Sequence, residues 1–230
     1  MSGYSKKSVA DLVAIITRKD EELKEKDVQY RELEKRLLVL EKQNDFEKRF
    51  VNVEKRIAQQ EQYSRRECVE FDGFSQNIND EDIEQKVVEV LGEVGLNVTS
   101  RDFHAVHRLK NKKKSVIAKF VNRKDAVAAL KKRKSIKDLP EEAKARLGVR
   151  QLYLNESLCA PFRKLFGVCN SLYKKKLISK NYTFNGTLYV VLKEGDDRKT
   201  IYHIRDLKDL LGDEVIDEIL VEHANGTREN

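Results

Sequence analysis

The sequence predicts an α+β protein made of a long N-terminal coiled-coil helix followed by two small units that mix helices and strands. Three observations carry this. Residues 8–66 contain neither proline nor glycine and repeat apolar side chains every seven positions. At Cys68 the apolar period drops from 3.5 to 2. Beyond it, strand-like and helix-like segments alternate between turn signals.

One seam of the coiled coil reads Val9, Ile16, Leu23, Tyr30, Leu37, then Asn44, Val51 and Ala58. The companion seam, three residues on, reads Leu12, Lys19, Lys26, Leu33, Leu40, Glu47, so the heptads around Leu33, Leu37 and Leu40 carry most of the association. Ile16, Leu23, Tyr30, Leu33, Leu37, Leu40 and Asn44 are therefore the candidate oligomerisation residues. Asn44 at a seam position specifies register or strand number at some cost in stability, and dimer and trimer both stay open. After Asn44 the apolar residues shift to Phe46, Phe50, Val53 and Ile57, which breaks the register as a stammer does. About 60 helical residues make a rod of roughly 90 Å, too long and too polar to be covered by a fold of its own chain.

Val69, Phe71 and Gly73-Phe74 read as a first strand and its exit turn. Residues 80–94 read as a helix with acids in its first turn and an apolar stripe of Ile83, Val87, Val90, Leu91 and Val94. Strands at 103–109 and 116–121 flank a basic hairpin loop at 110–114, and a second helix at 124–134 turns Ala126, Val127 and Leu130 inward. Pro140 and the charged stretch to Gly148 read as a connector, and residues 149–154 as a fourth strand. The order β-α-β-β-α-β is that of the ferredoxin-like domains that include the RNA-recognition motif. A helix over 161–178, strands over 187–192 and 199–204 and a last helix over 206–221 follow, with Asn185-Gly186 and Gly195-Asp196 as turns. The expected domains are 1–66 (coiled coil, oligomerisation), 67–155 (RNA-recognition-motif-like) and 156–230 (a small α/β C-terminal domain).

Charge is distributed unevenly. The chain carries +7 overall, but residues 67–100 hold 1 basic and 9 acidic side chains, and residues 101–137 hold 14 and 2. Residues 144–180 add 9 basic side chains against Glu156 alone. Phosphates are the natural counter-charge for such runs, and each contact gains from counterion release. The candidate nucleic-acid contacts are Arg108, Lys110, Lys112, Lys113 and Lys114 on the hairpin, Lys119 on the third strand, and Lys131, Lys132, Arg133 and Lys134 after the second helix. A second group comprises Arg150, Tyr153, Arg163, Lys164, Lys174, Lys175 and Lys176. An RNA-recognition motif stacks bases on aromatics of its two central strands, but here those strands offer Glu70, Asp72, Ile117 and Lys119. Backbone charge, rather than base reading from that sheet, is the expected mode. Tyr153, Tyr182 and Tyr189 are the aromatics available for stacking in the C-terminal part.

Several function classes find no support in the residues. Cys68, Cys159 and Cys169 have neither disulfide-framework nor zinc-cage spacing, and His104 and His107, three apart on a predicted strand, project to opposite faces. No phosphate-cradling glycine loop or nucleophile elbow is present, so the expectation is a non-enzyme with no cofactor, no metal and no small-molecule substrate. No apolar run approaches the roughly 20 residues of a membrane span, so a cytoplasmic protein, with the nucleus as a second compartment, is expected.

The order of parts carries a resemblance. A helix ending in Ser64-Arg-Arg66, then Cys68-Val-Glu-Phe-Asp-Gly-Phe74, His107-Arg-Leu109, Ser115-Val-Ile-Ala-Lys-Phe120, Tyr153-Leu-Asn-Glu-Ser-Leu158 and Asn185-Gly-Thr-Leu-Tyr-Val190 resembles the first-open-reading-frame proteins of LINE-type non-LTR retrotransposons. The baculovirus few-polyhedra proteins look similar in the same segments. The resemblance implies a homo-oligomer, trimer favoured over dimer, acting as a nucleic-acid chaperone that coats single-stranded RNA, or single-stranded DNA, in a ribonucleoprotein. It also implies that RNA runs between the RNA-recognition-motif-like domain and the C-terminal domain, with Arg108, Lys119 and Arg163 as backbone contacts and Arg150 and Lys174 behind them. The competing expectation is a coiled-coil scaffold protein of the few-polyhedra type.

Overall fold

A computed structural model describes residues 9–111 and 114–226, the last four by backbone alone. The chain is mixed α+β, with a long N-terminal helix and two antiparallel sheets. It divides into one unit ending at Asn52 and a second, compact unit spanning Val53–Asn230.

Helix α1 runs Val9–Ser64 without interruption, as expected of a stretch without proline or glycine. Exposed pairs such as Lys19–Glu22 at 2.6 Å and Arg36–Glu32 at 3.3 Å link successive turns along its surface. Ile16, Leu23, Tyr30, Leu33, Leu37 and Leu40 are between 57% and 66% exposed, so the apolar seam is uncovered by its own chain. No described helix is long and apolar enough to cross a membrane.

In the compact unit, strands β1 (Cys68–Phe74), β2 (Phe103–Arg108), β3 (Val116–Phe120) and β4 (Val149–Glu156) form an antiparallel sheet in the order β2-β3-β1-β4. Helices α2 (Ile83–Glu93) and α3 (Arg123–Lys131) cover one face. Ile83, Val87, Val90 and Leu91 of α2 meet Val69, Phe71, Ala118, Phe120 and Leu152 in a single core. Alternation leaves Glu70, Asp72, Ile117 and Lys119 on the opposite face. A bulge bends β1 at Gly73, whose φ is +118°; a Cβ there would lie 1.9 Å from the Gln151 carbonyl oxygen. Only glycine fits.

The helix expected over 124–134 is two: α3 ends at Lys131 and a short α4 spans Arg133–Lys137, turning so that Ile136 reaches the core. The connector expected at 140–148 contains a helix, α5 (Glu141–Leu147). Glu141 and Glu142 favour its first turn, and Gly148 at φ +69° closes it.

The C-terminal part packs α6 (Ala160–Lys174) against a second sheet, β5-β6-β7 (Lys180–Phe184, Thr187–Val191, Lys199–Ile201). Strand β5 was not among the expected strands. Its inward positions carry polar Asn181, bonded at 2.8 Å to Asn170 of α6, and Thr183, so no apolar alternation marks it. Asn185 and Gly186, both at positive φ, make the two-residue turn their sequence predicts. Strand β7 stops at Ile201 because the Asp206 carboxylate accepts the Tyr202 and His203 N–H groups at 2.8 and 3.0 Å, starting helix α7 (Ile204–Leu211). Gly212 then splits the single expected last helix into α7 and α8 (Asp213–Gly226).

The last turns of α1 belong to this unit. Ala58 is buried against Leu158, Cys159 and Phe162. The Gln62 amide, 3% exposed, donates to the Ser157 carbonyl at 2.9 Å and accepts the Cys159 N–H at 2.8 Å.

Candidate nucleic-acid interface

The end of α1, the outer side of α3 and the β5–β6 turn enclose a cleft of about 900 Å³. Gln62 fixes the first of these walls, and the two-residue turn fixes the third. Six basic side chains line the cleft, Arg65, Arg66, Arg123, Lys124, Lys131 and Arg133, against one acid, Glu156. The two oxygens of Glu156 are used locally, accepting the Asn185 and Gly186 N–H groups at 2.6 and 3.0 Å, so the carboxylate pins the turn. Val127, Ala128, Leu130 and Phe184 supply apolar surface between the cations.

The cations are held to different degrees. Arg123 donates to the Asn185 side-chain oxygen at 2.6 Å across the cleft. Arg65 lies 3.6 Å from Glu61 and 3.4 Å from the Ser157 hydroxyl. Arg66 lies over the Tyr63 ring at 4.7 Å, and its buried Nε finds no hydrogen-bond partner among the described residues. Lys124, Lys131 and Arg133 have no hydrogen-bond or ion-pair partner there either. Cations so placed repel one another, and an anion relieves the repulsion.

Of the sequence candidates, Lys131 and Arg133 line this cleft; Lys132 is half-buried and Lys134 exposed beside it. Arg65, Arg66, Arg123 and Lys124 were not among the candidates. The local signal for the last two was their place in the first turn of a helix, the end where a macrodipole disfavours cations. Lys112 and Lys113 lie outside the described residues, while Lys110 and Lys114 are exposed.

Arg108 has an internal task. Its side chain, 10% exposed, donates to the Ser75 and Ile78 carbonyls at 2.7 and 3.2 Å and pairs with Asp80 at 3.1 Å, tying down the loop after β1. Arg163 donates to Glu70 at 2.7 Å, and the Ser157 hydroxyl donates to the same carboxylate at 2.8 Å. Asp72 is likewise held, by the Ser115 hydroxyl and by Asn155 at 3.3 Å. With both acids of β1 occupied, Lys119 and Tyr153, 45% exposed, stand out on the open face. Arg150 is exposed on β4, as are Lys164, Lys174 and Lys176 on or just past α6. Lys175 is paired with Glu222 at 2.7 Å and Glu218 at 3.2 Å, and the Glu222 hydrogen bond leads in pushing its pKa up. Ile16, Leu23, Tyr30, Leu33, Leu37, Leu40 and Asn44 lie exposed on α1.

Burial pushes all three thiols up, Cys169 to about 12, which makes them poor nucleophiles and ligands. Among the described residues no three metal-capable side chains come together. No protein family and no curated protein matches this sequence.

Proposed function

We propose that this chain is a homo-oligomeric, single-stranded RNA-binding protein, a nucleic-acid chaperone of the kind carried by LINE-type retrotransposon ribonucleoproteins. The observation that carries the reading is the cleft: six cations face a single acid that is already committed to a turn. A cleft that is positive and partly apolar suits a flexible strand laying its phosphates against cations.

Two further features support it. The strand order β2-β3-β1-β4, with helices on one face, suits the reading of this sheet as RNA-recognition-motif-like. The uncovered heptad seam of α1 suits a coiled coil, for which the resemblance favours a trimer, and tethered copies gain about 10² to 10⁴ in effective affinity on a strand long enough to bridge them. Because the open face of the first sheet presents Glu70 and Asp72, binding is driven by backbone charge and tolerates any sequence.

The test is equilibrium binding of a single-stranded RNA and of a perfect duplex at 50 and 200 mM salt. Tighter binding of the single strand, weakening steeply with salt and indifferent to sequence, is expected. No binding, or salt-independent binding, overturns the proposal and leaves a coiled-coil scaffold protein.

A further inference from the structure

The outward face of the second sheet has a composition that its core does not require. Leu188, Val190 and Ile201 point inward and are buried. On the other side Tyr182 of β5 stands directly opposite Tyr189 of β6, their rings 5.5 Å apart and inclined by 24°, a stacked pair. Each ring carries a cation: the Lys180 ammonium lies 5.4 Å from the Tyr182 centroid, and the Arg198 guanidinium 4.6 Å from that of Tyr189. The Tyr182 hydroxyl, with Tyr189 beside it, pushes the Arg198 pKa up. At the strand's end the same face presents Phe184, 61% exposed.

A cross-strand aromatic pair stabilises a sheet by roughly 0.2–1 kcal/mol, which accounts for two tyrosines in contact. It does not account for an exposed phenylalanine in the same row or for a cation over each ring. No carboxylate occupies an outward strand position; the nearby acids Glu194, Asp196 and Asp197 sit in the β6–β7 turn, where Asp196 accepts the Lys193 N–H at 3.0 Å. Phe184 also lines the basic cleft, so the aromatic row begins where the cleft ends. Aromatic faces interleaved with cations are what single-stranded nucleic acids stack on, since every base has a π-face whatever its sequence.

We propose that Phe184, Tyr182 and Tyr189 form a base-stacking platform for single-stranded nucleic acid, flanked by Lys180 and Arg198 and continuous with the cleft. This rests on the reading of the cleft as the phosphate-binding element and adds to it: the cleft grips phosphates, and the platform holds bases open. The two central strands of the first sheet present Glu70, Asp72, Ile117 and Lys119 rather than aromatics on their open face, and the second sheet supplies a row of rings.

The experiment uses the full chain and two single-stranded DNA oligonucleotides of equal length, one with bases and one wholly abasic, so that only the bases differ. The base-bearing strand should bind at least about tenfold tighter, the effect of stacking one or more bases. In the double variant Tyr182→Leu, Tyr189→Leu that ratio should fall toward one while affinity for the abasic strand and its salt dependence stay unchanged. Tyr182→Phe, Tyr189→Phe should keep the ratio. Equal wild-type affinity for the two strands overturns the platform, whatever the variants do, and is also the result expected if this face serves a protein partner. A preference that survives the leucine substitutions overturns the assignment to these rings. Failure of the cleft reading looks different, since the abasic strand would then not bind at all or would bind without salt dependence.

Discussion

Replacing Lys124, Lys131 and Arg133 by glutamine tests the cleft with the least structural disturbance. None of the three has a hydrogen-bond or ion-pair partner among the described residues, so the fold should lose no more than about 0.5 kcal/mol, the usual range for surface changes. For a single strand each phosphate contact contributes about 0.7 to the slope of log K against log salt, so losing three contacts should flatten the slope by about 2. Between 50 and 200 mM salt that amounts to roughly a twentyfold smaller loss of affinity in the variant than in the wild type. Fluorescence anisotropy of a labelled oligoribonucleotide, titrated at four or five salt concentrations, reads the slope directly. Weakened binding with an unchanged slope would refute the reasoning, because the lost contacts would not have been to phosphates. A slope change confined to one base sequence would equally count against it.

Arg108→Gln should behave oppositely to the cleft variants. It removes a charged donor from the Ser75, Ile78 and Lys114 carbonyls and should cost about 2–3 kcal/mol in denaturant unfolding, while the salt slope of RNA binding barely moves. Leu37→Pro breaks the best heptads at about 3 kcal/mol or more per helix, so sedimentation should shift from oligomer toward monomer and affinity for long RNA should fall more than for a short oligonucleotide. Cys169, held neutral by burial, ionises near pH 9 when unfolded but only near 12 when folded. Its raised folded pKa therefore contributes stability below pH 9 that is lost as pH climbs toward 12, at about 1.4 kcal/mol per unit, and Cys169→Ala should show a shallower alkaline decline in unfolding free energy.

What the sequence could reveal followed the reach of each signal. The long helix over the stretch without proline or glycine, the stripe Ile83, Val87, Val90 and Leu91, the alternation at Val69 and Phe71, and the Asn185-Gly186 turn follow from local patterns, and each is present. Strand β5 escaped because Asn181 satisfies an inward position by bonding Asn170, a pairing that no periodicity announces. The site was harder, since Arg65 and Lys131 meet across 66 residues and neither run looks special alone. A count of charges also cannot separate a free cation from a spent one: Lys174, Lys175 and Lys176 are equal in sequence, yet the middle one is paired with Glu218 and Glu222 some forty residues away. Arg108 illustrates the same point, since strand parity puts it beside Val106 on the helix side, where its charge is spent on the loop after β1.

The placement of the last turns of α1 predicts where the chain tolerates truncation. Although the sequence assigns residues 1–66 to the coiled coil, residues 53–64 are bound into the compact unit through Ala58, Gln62, the Lys55–Asp206 pair and the Glu54–His203 contact at 3.2 Å. Deleting residues 1–52 removes none of these, so the remainder should unfold with the midpoint of the intact compact unit. Deleting residues 1–64 removes both Gln62 hydrogen bonds, about 1 kcal/mol each, and uncovers Leu158 and Phe162, worth about 2 kcal/mol together. The partly exposed ion pairs add less than about 1 kcal/mol. The second truncation should therefore be less stable by about 4 kcal/mol, a fall of roughly 10 °C in melting temperature for a unit of this size. It should also bind a short oligonucleotide more weakly than the first, although both retain Arg65 and Arg66, because Gln62 no longer holds those arginines at the cleft wall. Calorimetry on the two truncations settles the first point and anisotropy the second. Equal melting temperatures would show that the end of α1 contributes nothing to the compact unit, and equal affinities would remove Arg65 and Arg66 from the site.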